Sequence, residues 1–482
     1  MVLRWFPWRM IVRRLARAHG FIDPMSVLSR VESFAQPSEV STPIELLRAG
    51  VVFHARGLMN TKVIQHNLDW VWPYWVQRQF DPADPAFLPR AFSITHVNLT
   101  HRNWTAVGFP GCRAYPIVDP RGLVTPFFDG WSLDAWLLFE QGADVIPSSS
   151  KDAAQRLLLE DGGPTVETEA RGDGGRLRSR VSAAHEEDRP VCTVRCRAVS
   201  HRPGWLALAL RPCNPEGVSF IRNVELEADR KRWRVNDASC IELSRAPDRH
   251  LCSDYRRSDV HHNWTEREES LACECDVGMT TAAALYRLEP DAPRETTLRV
   301  DLSQDADSEP AIPAPVMVRP WAEALRGAAD LAVPDRQFRF LYDAALRTLI
   351  LHSPHEVYPG PYTYKRFWFR DAAFILHGML CAGITGRVRH VLDRFPGRQK
   401  IDGFFESQAG EWDSNGEALW IMHRYAELTG DAPRDWKSAI VSGARWIRRK
   451  RLDDDGDALH AGLLPAGFSA EHLGNNDFYY WD

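Results

Sequence analysis

Between residues 46 and 302 the chain alternates polar and apolar positions over short runs broken by Gly, Pro, Asn and Asp. TVETEAR, RLRSRVSA, VCTVRCRAV and WLALALRP are such runs, with GDGG and CNPEG as turns and VSFIRNVEL following. A period of two with turn residues at this spacing predicts antiparallel strands, and so many of them predict a large β-sandwich. At 303–334 proline and acidic residues displace the alternation, as in a linker. From 335 the apolar period lengthens to about 3.6 residues, the helical value.

The spacing predicts a helix over 335–352, with Asp335 as N-cap and Phe338, Leu341, Ala345 and Leu349 on its inward stripe. FWFRDAAFILHGML, from Phe367, reads as another helix, entered through aromatic rings. A third is predicted over 414–428, stopped by Gly430 and Pro433, with Ala418, Ile421, Met422 and Tyr425 inward and a Ser414/Glu417 capping box at its start. A fourth spans 435–450, with Trp436, Ile440, Ala444 and Ile447 inward. Its RRKR ending suits the negative end of the helix dipole.

At 482 residues the chain is too long for one ordinary core. A net charge of -5 gives no general pull toward nucleic acid or a membrane surface, so a neutral or small partner is expected. Residues 1–45 form a basic arm whose arginines interrupt every apolar run that a signal peptide would need. No run is long and apolar enough to span a membrane, and the arm is expected to fold back on its own domain. Nine cysteines, an odd number thinly spread, imply no disulfide framework and a reducing, cytoplasmic setting. Neither Cys192/Cys196 nor Cys273/Cys275 has zinc spacing, and the acid run from Asp453 lacks the glycine position of a calcium loop, so no metal is expected.

Eighteen tryptophans bring the chemistry into view, because a flat ring with a polar tip serves both cores and sugar-binding clefts. Arg370 and Asp371 follow Tyr362, Tyr364, Phe367, Trp368 and Phe369. One reading is an acid favoured at a helix start beside an arginine that pairs with a neighbour. The other is a guanidinium and a carboxylate gripping adjacent sugar hydroxyls against an aromatic wall. Asp413, after Trp412, stands on the loop side of a helix start and could face a ligand or a turn. Glu471 lies in a polar loop followed by Phe478, Tyr479, Tyr480 and Trp481. Shielding by such rings would raise its pKa and let it donate a proton at neutral pH.

WFRDAA, WDSNGEALW and AEHLGNNDFYY, in this order after a β-rich region, resemble the motifs of glucoamylase-type glycoside hydrolases on the (α/α)6 toroid. The resemblance covers roughly residue 335 to the end. It implies an N-terminal antiparallel β-sandwich followed by an incomplete (α/α)6 toroid, since 335–482 holds about half of the ring's helices and the sequence reads as a fragment. It further implies that Arg370 and Asp371 hold the non-reducing-end sugar beside Trp368, that Trp412 and Asp413 form a subsite, and that Glu471 is the general acid of an inverting hydrolysis. The base would lie past Asp482. The partner would be an oligosaccharide or small glucoside, with no cofactor. A trehalase or glycoside phosphorylase on the same toroid, a non-catalytic carbohydrate-binding protein, and a plain structural ion pair remain open beside it.

Overall fold

The computed structural model describes residues 104–304 and 320–467, apart from 188, 216, 363, 409 and 454–459, together with 63, 64, 67, 69–76 and 83. The basic arm and Glu471 lie outside the described residues.

Two antiparallel sheets face each other. The first runs in the order β1 (Thr105–Ala106), β2 (Ile117–Val118), β3 (Val124–Thr125), β4 (Ser132–Leu138), β9 (Gly204–Arg211), β17 (Thr281–Leu288) and β15 (Arg249–Ser253). The second runs β16 (Ala272–Glu274), β12 (Asn223–Leu226), β13 (Arg232–Val235), β14 (Ser239–Leu243), β18 (Arg294–Asp301), β8 (Arg189–Ser200), β7 (Gly175–Glu186), β6 (Gly163–Gly172) and β5 (Ala154–Glu160). A short ribbon, β10 (Cys213–Asn214) with β11 (Gly217–Val218), brackets the CNPEG turn.

The alternation decides what each face does. Leu133, Ala135 and Leu137 of β4 and Leu206, Leu208 and Leu210 of β9 meet Val181, Val194, Cys196 and Leu298 of the other sheet in one core. The second sheet turns polar residues outward, where Glu167 and Glu169 are paired with Arg156, Arg171, Arg178 and Arg180. The first sheet is covered on both faces, which is why WLALALR reads as almost continuously apolar. Its outer side holds Trp136, Ala207, Ala209 and Leu285 under Val260 and Trp264. A fully buried ion pair sits there, Arg211 Nη1 donating to Asp259 Oδ1 at 2.8 Å. Burial alone would raise the Asp259 pKa, but the guanidinium holds it below the usual range. The same pair ties down Val71, whose amide donates to Asp259 and whose carbonyl accepts from Arg211.

The turn between β5 and β6 places Asp161 and Gly162 at φ 49° and 82°, as a two-residue hairpin loop with both central residues left-handed requires. A Cβ on Gly162 would lie 3.0 Å from the Trp321 side chain, so the glycine also admits that buried ring. Trp321 opens α1 (Trp321–Ala324), inside the segment read as linker.

The helices that follow are α2 (Arg336–Leu351), α3 (Phe369–Cys381), α4 (Thr385–Leu392), α5 (Ser414–Thr429) and α6 (Lys437–Lys450). Asp335 caps α2 as expected, its carboxylate accepting from the amides of Gln337 and Phe338. The α5 face of Ala418, Ile421, Met422 and Tyr425 is buried, and Gly430 closes the helix at φ 73°.

Two inward stripes differ from expectation. In α2 the buried residues are Leu346, Ile350 and Leu351, while Phe338 is 65% and Leu341 53% exposed. The helix docks through its C-terminal half, where Leu351 fills the space a Cβ on Gly108 would need. In α6 the buried stripe is Trp436, Ala439, Gly443 and Trp446, rotated from the expected Trp436, Ile440, Ala444 and Ile447. Small residues win because the helix comes close: a Cβ on Gly443 would meet Phe405 at 2.9 Å.

Helices α3 and α5 run parallel. Arg370 meets Asp413 near both starts, and Phe374 meets Trp420 further along both, with ring centroids 5.6 Å apart. Helix α6 runs antiparallel to α5, since Tyr425 packs on Trp436 while Asn415 donates to the Gly443 carbonyl. Phe369, fully buried, joins Phe367, Phe395 and Phe405 in the core beneath the α3 start.

His352 ends α2 with its ring 5.6 Å from Tyr115. Burial pushes its pKa down to about 4. The unfolded chain takes up this proton near pH 6.5 and the native state does not. The stability gained from a neutral His352 is therefore complete above that pH and is lost as pH falls toward 4, by about 3 kcal/mol. Urea unfolding should show the wild type losing about that much stability relative to His352→Leu between neutral pH and pH 4. A pH-independent difference would count against a neutral buried ring.

Candidate functional site

The site grows from two helix starts. Trp368 occupies the N-cap of α3 and offers no side-chain acceptor, so the cap comes from elsewhere in the chain: Ser407 Oγ accepts from the Phe369 amide at 2.8 Å. Arg366 donates to the Ser407 carbonyl and lies over the Trp368 ring at 4.8 Å. The loop before α5 is thereby docked on the start of α3.

At α5 the Ser414/Glu417 capping box does not form. Asp413 holds the N-cap position and Ser414 is the first helical residue. Asp413 is not spent on capping because its carboxylate accepts from Arg370 Nη1 at 2.8 Å. Arg370 Nε also lies 3.9 Å from Asp371 Oδ2. Burial works against the charge on Arg370, but Asp413, Glu411 and Asp371 more than offset it and raise its pKa. A cation in the first turn of α3 opposes the helix dipole, so these carboxylates are what make it tenable there. The side chains of Arg370, Asp371 and Asp413 are 30%, 33% and 16% exposed, so the cluster is held yet open to a ligand.

Of the residues singled out in the sequence, Arg370, Asp371 and Asp413 therefore come together. Trp368 is buried beside them, against Tyr364 and Arg366. Trp412 is placed differently. It packs on Phe404 and Trp446, with Lys450 Nζ 4.0 Å above its ring, and its Nε1 donates to the Ala466 carbonyl at 3.4 Å. Leu464 is buried in the same cluster. Trp412 thus anchors the chain that leads toward Glu471.

Sequence reasoning passed over several residues in the same run. Glu411 is buried and acts on Arg370. Gln408 is fully buried, and both its amide atoms lack a hydrogen-bond partner among the described residues. Asn415 accepts from the Phe405 amide and donates to the carbonyls of Gly403 and Gly443, locking the loop to α6. The signal for Gln408 and Glu411 was present as a polar block, QAGE, ahead of an apolar helix, whereas Asn415 lies in the first turn of that helix.

Chemically, one guanidinium among carboxylates at two neighbouring helix starts offers hydrogen-bond donors and acceptors side by side. No cluster of metal-ligating side chains occurs among the described residues, and no helix among them is long and apolar enough to cross a membrane.

Against solved structures, a bacterial glucoamylase complexed with acarbose aligns with a TM-score of 0.52 at 11% identity, over 72% of this chain and 59% of that one. A putative kojibiose phosphorylase from the human microbiome aligns with a TM-score of 0.41 at 10% identity, over 74% of this chain and 53% of that one. No protein-family profile matches the sequence, and no curated protein matches it. The β-sandwich and the helices after it therefore share the fold of the glucoamylase structure over 59% of that chain's length. The motif resemblance is met at the level of fold.

Proposed function

We propose that this chain is a glycoside hydrolase, or a large part of one, that releases glucose from the non-reducing end of an α-glucoside with inversion. The observation that carries the reading is the Arg370 cluster: a partly exposed guanidinium held by Asp413 and flanked by Asp371, at the joined starts of two parallel helices. Arg370 and Asp371 would bind adjacent hydroxyls of the terminal sugar, and Trp368 would back the pocket.

Glu471 is assigned the general acid. The anchoring of Ala466 at Trp412 supports this, because five residues reach at most about 17 Å from that point. An inverting route also needs a carboxylate that activates water from the opposite face, roughly 6.5 to 9.5 Å from the acid. We place it on further helices completing an (α/α)6 ring. The open apolar positions on α2 and α3, Phe338 and the 63%-exposed Phe374, support such a ring. No organic cofactor enters the reaction.

The test is product analysis by NMR after a chain extended to include the proposed base is incubated with maltotriose, with and without inorganic phosphate. Free glucose, first seen as the β-anomer and independent of phosphate, is expected. A sugar phosphate formed only when phosphate is present would replace hydrolysis by phosphorolysis. Binding without any product would leave a sugar-binding protein.

A further inference from the structure

We propose that Cys252 and Cys273 are a redox-active thiol pair, which a low-molecular-weight disulfide oxidises to a cross-link tying one sheet of the sandwich to the other. Nothing in the hydrolase reading uses these residues.

Topology brings the two sulfurs together. Strand β15 is the last of its sheet and β16 is the first of the other, and they are consecutive strands of the chain. The chain between them crosses from one sheet edge to the other: the Ser270 amide donates to the His250 carbonyl on β15, and Leu271 accepts from the Leu226 amide on β12. At this edge the sheets already touch through polar groups, since Trp233 Nε1 on β13 donates to His250 Nε2 at 2.8 Å. One position pair further along, Cys252 points into the inter-sheet core and Cys273 packs against that core from β16. Strand β15 packs against β16 here, and Ser270, on the chain between them, donates its hydroxyl to the Ala272 carbonyl beside Cys273 at 3.2 Å. Cys252 Sγ also lies 2.7 Å from Ser270 Oγ.

The surroundings favour reaction at this pair over the other buried cysteines. The neighbouring Cys273 thiol lowers the Cys252 pKa against the effect of burial, and Ser270, Arg257 and Arg267 act in the same direction. A thiolate is the attacking form in disulfide exchange. By contrast, burial pushes the thiols of Cys192, Cys196 and Cys213 up to about 12. Cys273 is only partly buried, which gives the reagent a way in.

The chemistry balances. Both S–H bonds are lost and one S–S bond forms. The two electrons released cleave the S–S bond of the reagent, and the two protons leave on its two thiol products. The cross-link closes the 252–273 loop, which carries the buried Asp259 and Trp264, and constrains the unfolded chain.

The full chain would be incubated with oxidised glutathione, digested without reduction and mapped by mass spectrometry, with Tm recorded in parallel. A Cys252–Cys273 linked peptide is expected, together with a rise in Tm of roughly 4 to 8 °C that a dithiol reverses. Cys273→Ser should lose both, and Cys381→Ser, at an exposed cysteine, should keep both. A linkage between other cysteines, only glutathione adducts at Cys273, or an oxidant-induced rise in Tm that persists in Cys273→Ser would overturn the assignment.

Discussion

Glu471→Gln should lower kcat for maltotriose hydrolysis by about 10²- to 10⁴-fold while KM stays within a few-fold, in a chain extended to include the proposed base. The amide keeps the size and hydrogen-bonding reach of the acid but has no proton to give to the departing oxygen. Proton donation helps only as the glycosidic bond breaks, so the loss belongs in kcat rather than in binding. The falling limb of the rate at high pH should also disappear, because it reports loss of that proton. An equal drop in affinity would make Glu471 a binding residue. Unchanged turnover would remove it from the chemistry.

Much of the sandwich was legible because strand alternation survives wherever one face is core and the other solvent, as in RLRSRVSA on β7. WLALALR was legible for the opposite reason, since β9 is covered on both faces. The Asp161-Gly162 hairpin turn was equally plain in the sequence and was passed over. Among the helices, existence and ends followed from Asp335 and Gly430, whose effects are local. Faces did not follow. The α2 helix carries more than one apolar stripe, and periodicity cannot say which stripe finds a partner and which stays open with Phe338.

The site shows the same limit. Ser414-x-x-Glu417 fits a capping box, yet the box is displaced because Asp413 takes the N-cap position and pairs with Arg370, 43 residues away. Trp368 is a poor cap, and the deficit is met by Ser407, 38 residues on from the Phe369 amide it accepts from. Arg370 and Asp371 could be picked out from residue type alone. That Asp413 and Glu411 would join them depends on α3 and α5 lying parallel with their starts together, a tertiary fact that spacing along one helix does not encode.

Arg370→Lys is the second large effect. Lysine keeps the positive charge that Asp413, Glu411 and Asp371 surround, so the ligand-free protein should stay folded, with a Tm within a few degrees of wild type. It lacks the planar fork of donors that can serve Asp413 and a sugar hydroxyl together. Hydrogen bonds to charged groups contribute about 1.5 to 3 kcal/mol each, so losing one or two should weaken sugar binding by roughly a hundredfold. Asp371→Asn should act in the same direction with a smaller effect, since the amide still offers one acceptor.

The most direct measurement is the maltotriose-dependent rise in Tm of the full chain, titrated in wild type beside Arg370→Lys and Asp371→Asn. A saturable rise in wild type is expected, with the midpoint moved to about a hundredfold higher sugar in Arg370→Lys. No rise in wild type, or the same midpoint in all three proteins, would mean that the arginine and its carboxylates only hold two helix starts together.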